Sequence, residues 1–295
     1  MNKQLIAVGM MVVLSVVLLS GCNEKTPSEK LKEEKFEVHE WGVFLKVYDC
    51  NQTSVSTQPL ETFFVDKPVI FFHSLENITN ITVEVNSIRN VTVIPNATTE
   101  NNQILWNIAV ENNSIIVPNG TKYPYLFYEG EINCSPNIIA NITVNKTNAT
   151  FYVKNIAEYT ISNIYFIYGG YLTDSVFEYN HYGITFVQID KLDANEEKSI
   201  TVQLTNDTSY DADKLKPLLS SLIEKGLTNE EAEEMIHYWQ GYWFYPSNAY
   251  TYTRLIYLVP QSVYDQLLPM TITPQPDLTK RIGIFTITDI SVNTS

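Results

Sequence analysis

From Phe36 onward the apolar residues fall into short runs rich in Val, Ile, Thr, Tyr and Phe, and many of these runs alternate with polar residues. In residues 78–85, Asn80, Thr82 and Glu84 interleave with Ile81, Val83 and Val85, the period-two pattern of a strand with one face in a core. The same pattern predicts strands over residues 36–48, 69–73, 78–85, 90–94, 104–110, 114–117, 123–129, 140–144, 149–154, 161–168, 183–189 and 198–204. Two more follow at 254–259 and 281–287. Turn residues at Pro95-Asn96, Pro118-Asn119-Gly120, Ser135-Pro136-Asn137 and Gly169-Gly170 separate them. Short strands without intervening helices predict a mainly β protein, an antiparallel β-sandwich or two.

A helical period appears only between residues 210 and 245. Leu215, Leu218, Leu219, Leu222 and Ile223 share one face, Pro217 sits in the first turn and Gly226 provides a stop. A second helix begins at a capping box of Thr228 and Glu231, with Leu227 and Ala232 as a staple and Ala232, Met235, Ile236 and Trp239 in one stripe. The expectation is a helical hairpin inserted before the C-terminal strands.

The first residues carry an address. Met1-Asn2-Lys3 precedes an uncharged apolar block from Leu5 to Leu19, the form of a signal-peptide core. Leu19-Ser20-Gly21-Cys22 then resembles the lipobox of bacterial and archaeal lipoproteins, which implies cleavage before Cys22 and a lipid on its thiol. An uncleaved signal anchor is the alternative, since the block is only slightly short of a span. Either reading places the rest on the outer face of the cell membrane. Residues 22–35, with Pro27 and many charges, read as a tether.

With Cys22 committed, Cys50 and Cys134 are expected to pair in a disulfide, as suits an extracytoplasmic protein. Acceptors for Asn-linked glycosylation occur at Asn51, Asn77, Asn80, Asn90, Asn96, Asn112, Asn119, Asn141, Asn145, Asn148, Asn206 and Asn293. They crowd residues 51–148 and leave 149–205 and 207–292 bare, so a binding face is expected in the bare part. Together with the lipobox they suit an archaeal envelope. A net charge of -14 disfavours nucleic acid and anionic lipid as partners, and 44% hydrophobic content with 12% aromatic residues requires a packed core. The organisation expected is a signal peptide (1–21), a lipidated tether (22–35), a glycosylation-rich β region (36–148), a β half-sandwich (149–209), the helical hairpin (210–245) and closing strands (246–295). The half-sandwich segment resembles immunoglobulin-like envelope modules, through Phe151-Tyr152-Val153-Lys154-Asn155 and the acidic turn Leu192-Asp193-Ala194-Asn195-Glu196.

Candidate chemistry is sparse. His39 beside Glu40 suggests metal ligation or proton transfer, but neighbours in a strand point to opposite faces, and Trp41 then fills a core. No spacing joins His73 or His181 to His39. Glu234 and His237 have the Glu-x-x-His spacing of di-iron bundles, yet those sites need the pair twice with further glutamates from neighbouring helices, and with Glu230 they lie opposite the stripe of Ala232, Met235 and Trp239. Trp239 and Trp243, within a dense aromatic segment, read as core or as a sugar-binding platform. No phosphate loop, nucleophile elbow or zincin helix occurs. The expectation is therefore no catalytic residue, metal or cofactor, with His39, Glu40, Trp41, Trp239 and Trp243 as ligand-binding candidates.

His39-Glu40-Trp41-Gly42-Val43-Phe44, Lys67-Pro68-Val69-Ile70-Phe71-Phe72-His73-Ser74, Tyr125-Leu126-Phe127-Tyr128-Glu129-Gly130 and the blocks from Gly226 to Pro276 resemble an uncharacterised family of exported proteins. Its members begin with a His-Glu-Trp-Gly-Thr-Phe strand, where Val43 here replaces Thr, and they usually have Tyr at the position of His73. The resemblance implies one body across residues 38–287 and no particular activity. The function expected is that of a cell-surface lipoprotein with a binding or structural role, its partner a surface glycan or a protein. An envelope hydrolase acting through a carboxylate pair or a metal is the alternative.

Overall fold

A computed structural model describes residues 36–46, 61–173, 180–205, 212–244, 252–288 and 290–294. The signal peptide, lipobox and tether lie outside these, as do Cys50, Asn51 and Asn206. Residues Lys35–Ser295 form one compact unit.

The protein is mainly β. Its strands in chain order are β1 (Phe36–Lys46), β2 (Glu61–Ser74), β3 (Ile78–Asn86), β4 (Arg89–Ile94), β5 (Thr98–Glu100), β6 (Gln103–Glu111), β7 (Ser114–Ile116), β8 (Lys122–Tyr123) and β9 (Leu126–Cys134). There follow β10 (Ile138–Val144), β11 (Asn148–Asn155), β12 (Ile161–Thr173), β13 (Asn180–Leu192), β14 (Glu197–Gln203), β15 (Tyr252–Val259), β16 (Met270–Thr273), β17 (Leu278–Thr288) and β18 (Val292–Thr294). The helices are α1 (Lys216–Glu224), α2 (Asn229–Phe244) and a short α3 (Gln261–Leu267).

Among the described residues three sheets result. An eight-stranded sheet runs β13-β12-β15-β17-β1-β2-β9-β4, a four-stranded one β14-β11-β10-β18, and the third β16-β3-β6-β7-β8 with β5 on β6. The pairing is largely antiparallel, but β1 lies parallel to β17, so strands more than 200 residues apart in sequence meet at the centre of the large sheet. The segment expected to form an immunoglobulin-like half-sandwich is shared between sheets. β11 and β14 pair in the small sheet, whereas β12 and β13 extend the large one and β12 continues into β15.

The large sheet is covered on both faces, which explains why β1 and β15 are buried almost throughout. Phe36, Val38, Phe44, Ile70 and Phe72 face a core shared with the other two sheets. Trp41, Val43, Val69, Ile256 and Ile284 face a second core beneath α1 and α2, formed with Leu218, Leu222, Ala232, Met235 and Trp243. The helical hairpin is thus the cover of one sheet face. Gly226, at φ +106°, makes the stop between the two helices, a conformation that L side chains rarely adopt. Gly169 and Gly170, expected in a turn, instead lie inside β12, with Gly170 opposite Gly183. A Cβ on Gly170 would come within 2.6 Å of the Tyr168 hydroxyl, so the glycine clears space for a ring rather than bending the chain.

Candidate functional site

β1 sends neighbouring residues to opposite faces, and each face gathers charge. On the inner face Glu40 is fully buried. Its Oε1 accepts hydrogen bonds from the hydroxyls of Tyr128 (2.5 Å) and Tyr264 (3.0 Å), and its Oε2 accepts from Arg281 Nε. Glu40 and Arg281 stand directly opposite in the parallel β1–β17 pairing, so strand register delivers the ion pair. Arg281 Nη1 donates onward to Asp265 (2.9 Å) and to the Leu268 carbonyl (2.8 Å), and the guanidinium lies over the Tyr264 ring. Burial and the adjacent carboxylate push both tyrosines far up, so they stay protonated donors. Gly42 and Gly283, paired across the same two strands, make room for the Tyr264 side chain. A Cβ on Gly42 would lie 2.7 Å from the Tyr264 hydroxyl, and one on Gly283 3.3 Å from its ring. Glu40 is therefore saturated and sealed, which corrects its reading as a ligand-binding candidate.

On the outer face, β1 and β2 place Glu37 opposite His73 and His39 opposite Phe71, and α2 brings Glu231 down onto them. Glu231 closes the expected capping box: its backbone N–H donates to Thr228 Oγ1 (3.2 Å) and its Oε2 accepts from the Thr228 N–H (2.8 Å). The same carboxylate also meets His39 Nδ1 at 2.9 Å and His73 Nε2 at 2.7 Å. The two imidazole rings stand 4.5 Å apart, and one ligand atom from each of His39, His73 and Glu231 falls within 4.8 Å of the others. His39 and Glu231 are buried, whereas the His73 side chain is 32% exposed. Burial opposes ionisation of Glu231, but hydrogen bonds from both histidines and the cap outweigh it and hold the carboxyl at about 2. For His39, burial lowers the pKa and the neighbouring Glu231 and Glu37 more than offset it, leaving it raised. The fold thus joins His73 to His39, which no spacing in the sequence indicated. β-Strand pairing and a helix cap supply the three groups from distant segments, so no spacing marks it. The capping glutamate at Glu231 was the one signal available. The side chain of His181 lies outside the described residues.

Further along α2 and β2 a groove of about 450 Å³ opens. Val69, Tyr125 and Phe127 floor it with the edge of Trp41, and Glu234, His237 and the half-exposed Tyr238 of α2 form one wall. Lys67 at the mouth lays its ammonium 3.2 Å from the Tyr238 ring centre. Phe71 packs edge-on to Tyr125 at 5.4 Å, linking the groove floor to the strand that carries His73. Glu230, Glu234 and His237 are exposed, as the helical wheel indicated. Trp239 and Trp243 are 2% and 0% exposed and stack on each other at 6.1 Å, and the Trp243 indole N–H donates to Thr286. They are core, which is the packing alternative of the two readings, and they drop out as ligand-binding candidates. Of the candidates, Trp41 touches the groove and His39 the neighbouring cluster.

Among the acceptor asparagines, Asn77, Asn80, Asn90, Asn96, Asn112, Asn119, Asn145 and Asn293 are exposed, and Asn141 and Asn148 are half-buried. The groove straddles the crowded and the bare parts of the chain, because β9 belongs to one and α2 to the other. Cys134 is a buried free thiol pushed up by burial and by Glu61. Lys46 and Glu61, the described ends of the segment carrying Cys50, pair with each other beside it.

No protein-family model matches the chain. A search of curated proteins likewise found no match. Among solved structures it is similar to the yeast delta-COP-I mu-homology domain complexed with a Dsl1 WxWxV peptide, with TM-score 0.39, 8% identity, and coverage of 87% of this chain and 97% of that one. The same yeast domain in a second structure gives TM-score 0.39 and 8% identity over 88% and 98%.

Proposed function

We propose that the chain is an exported, glycosylated protein held by lipid on Cys22 at the outer face of the membrane, where its β body binds a saccharide of the envelope in the groove beside α2. The observation that carries this is the groove itself. It has an aromatic and aliphatic floor, an exposed Tyr238 ring, and a carboxylate, an imidazole and an ammonium at its rim. Such a surface stacks on the apolar face of a sugar while the rim groups exchange hydrogen bonds with hydroxyls. The net charge of -14 favours a neutral saccharide over an anionic one.

The hydrolase reading loses its Glu40 version, since that carboxylate is fully buried and occupied on both oxygens. Its metal version rests on His39, His73 and Glu231. Isothermal titration of the full chain in detergent with envelope saccharides, against peptides of matched size, tests the binding reading. Saccharide binding that vanishes in Tyr238→Ala supports it. Peptide-only binding, or turnover of the saccharide, overturns it. Cys22→Ser is expected to release the protein into the medium, and retention in the membrane fraction would refute the lipid anchor.

A further inference from the structure

We infer that His39, His73 and Glu231 form a binding site for a divalent transition-metal cation of the zinc class, with one coordination position open toward solvent. The site is separate from the saccharide groove and stands whether or not that reading holds.

The donor set is two imidazole nitrogens and one carboxylate, which suits zinc, cobalt, iron or manganese and not calcium or magnesium, whose sites are built of oxygen. The ligand atoms are already assembled, now hydrogen-bonded to one another. His39 Nδ1, His73 Nε2 and a Glu231 oxygen lie within 4.8 Å of one another. Ligands about 2.1 Å from one tetrahedral zinc ion lie about 3.4 Å apart, so side-chain shifts of up to about 1 Å, opening the two imidazole–carboxylate contacts slightly, close the site.

Three further features fit a cation. Glu231 is a carboxylate at 4% exposure, and among the described residues only histidines form ion pairs with it, with no lysine or arginine. A buried charge requires a compensating partner, and a bound dication between the three groups supplies one. The second nitrogen of His39, Nε2, is buried with no hydrogen bond and faces Glu37 Oε2 at 3.4 Å. With Nδ1 on a metal, Nε2 carries the proton and points it at that carboxylate, the outer arrangement that orients metal-bound imidazoles. Glu231 is held from its other side by the Thr228 backbone N–H, so the carboxylate is fixed before any ion arrives.

Three protein ligands leave a tetrahedral ion one position short. The cluster is exposed on the His73 side, where water or a ligand group would complete it. That is the form of an exchange-competent site rather than a closed structural one.

The test is titration of chelator-treated full chain in detergent with Co²⁺ and Zn²⁺, with Ca²⁺ as the control. The expected result is saturation at one ion per chain, a visible cobalt band of four- or five-coordinate character, and a zinc-dependent rise in melting temperature. His73→Ala, at a part-exposed position and with its folding checked by circular dichroism, is expected to remove the cobalt band. Glu37→Gln should weaken zinc by about tenfold while leaving the band in place. Tyr238→Ala should leave the metal titration unchanged, which separates this site from the groove. Absence of saturable cobalt and zinc binding to the wild-type chain would overturn the inference, leaving the trio as a hydrogen-bonded clamp. So would binding of equal strength in His73→Ala.

Discussion

His39 and Glu40 are adjacent in sequence, both buried, and both centred on carboxylate chemistry, yet they sit in opposite situations. Behind β1, Glu40 has a permanent cation, two phenolic donors and no exposure to water. In front of β1, Glu231 pairs with two histidines and the Thr228 N–H but, among the described residues, with no lysine or arginine; His39 Nε2 lies 3.4 Å from Glu37 without a hydrogen bond, and His73 reaches solvent. The first cluster meets both oxygens of Glu40 within the fold, leaving Arg281 Nη2 as its one buried atom without a partner among the described residues, and ties β1 to β17. The second is assembled with equal care and left incomplete. Buried polar groups that are fully satisfied specify structure, and those left short of partners are where a ligand adds something.

The contrast is most sharply broken by Arg281→Met. Stranding Glu40 without its cation is expected to cost about 3–5 kcal/mol in urea unfolding, because an uncompensated charge would remain in the core. Combining it with Glu40→Gln should recover much of that loss, and purely additive effects would show that the pair is not coupled. Next in size is Gly42→Ala. Its Cβ would collide with the Tyr264 hydroxyl, 2.7 Å away, and the expected loss is about 1–3 kcal/mol of stability with the saccharide titration unaffected. At the small end is Tyr238→Ala on the outer face. Stability should move by no more than about 0.5 kcal/mol while groove binding disappears. A ranking in which the outer-face variant unfolded the protein and Arg281→Met did not would invert the assignment of roles.

Much of the architecture was legible from period alone. The alternating run at residues 78–85 became β3, and the helical hairpin with its Thr228–Glu231 capping box formed as read. Period and cap chemistry are local, so they survive any tertiary arrangement. Short elements escaped: β5, β8, β16 and α3 are too brief to show a period. Gly169-Gly170 misled, because a glycine that clears a ring looks the same in sequence as one that bends a chain. The site was less legible. Opposite faces for His39 and Glu40 followed from strand geometry, but Arg281, 241 residues from Glu40, is set against it only by the parallel pairing of β1 with β17.

The sequence by itself determined that this is a strand-built body with one helical cover, that Glu40 and His39 part company across β1, and that Glu231 caps a helix. Those follow from the pleat and from unsatisfied N–H groups at a helix start, which act over a few residues. Only the tertiary structure decided that the capping carboxylate would land between two histidines and that Trp243 would face a core instead of a ligand. It also decided that Tyr238, rather than either tryptophan, would stand at the groove. Each of those depends on which sheet face the hairpin covers, and that is fixed by burial of the whole apolar stripe of α1 and α2 against β1, β2, β15 and β17.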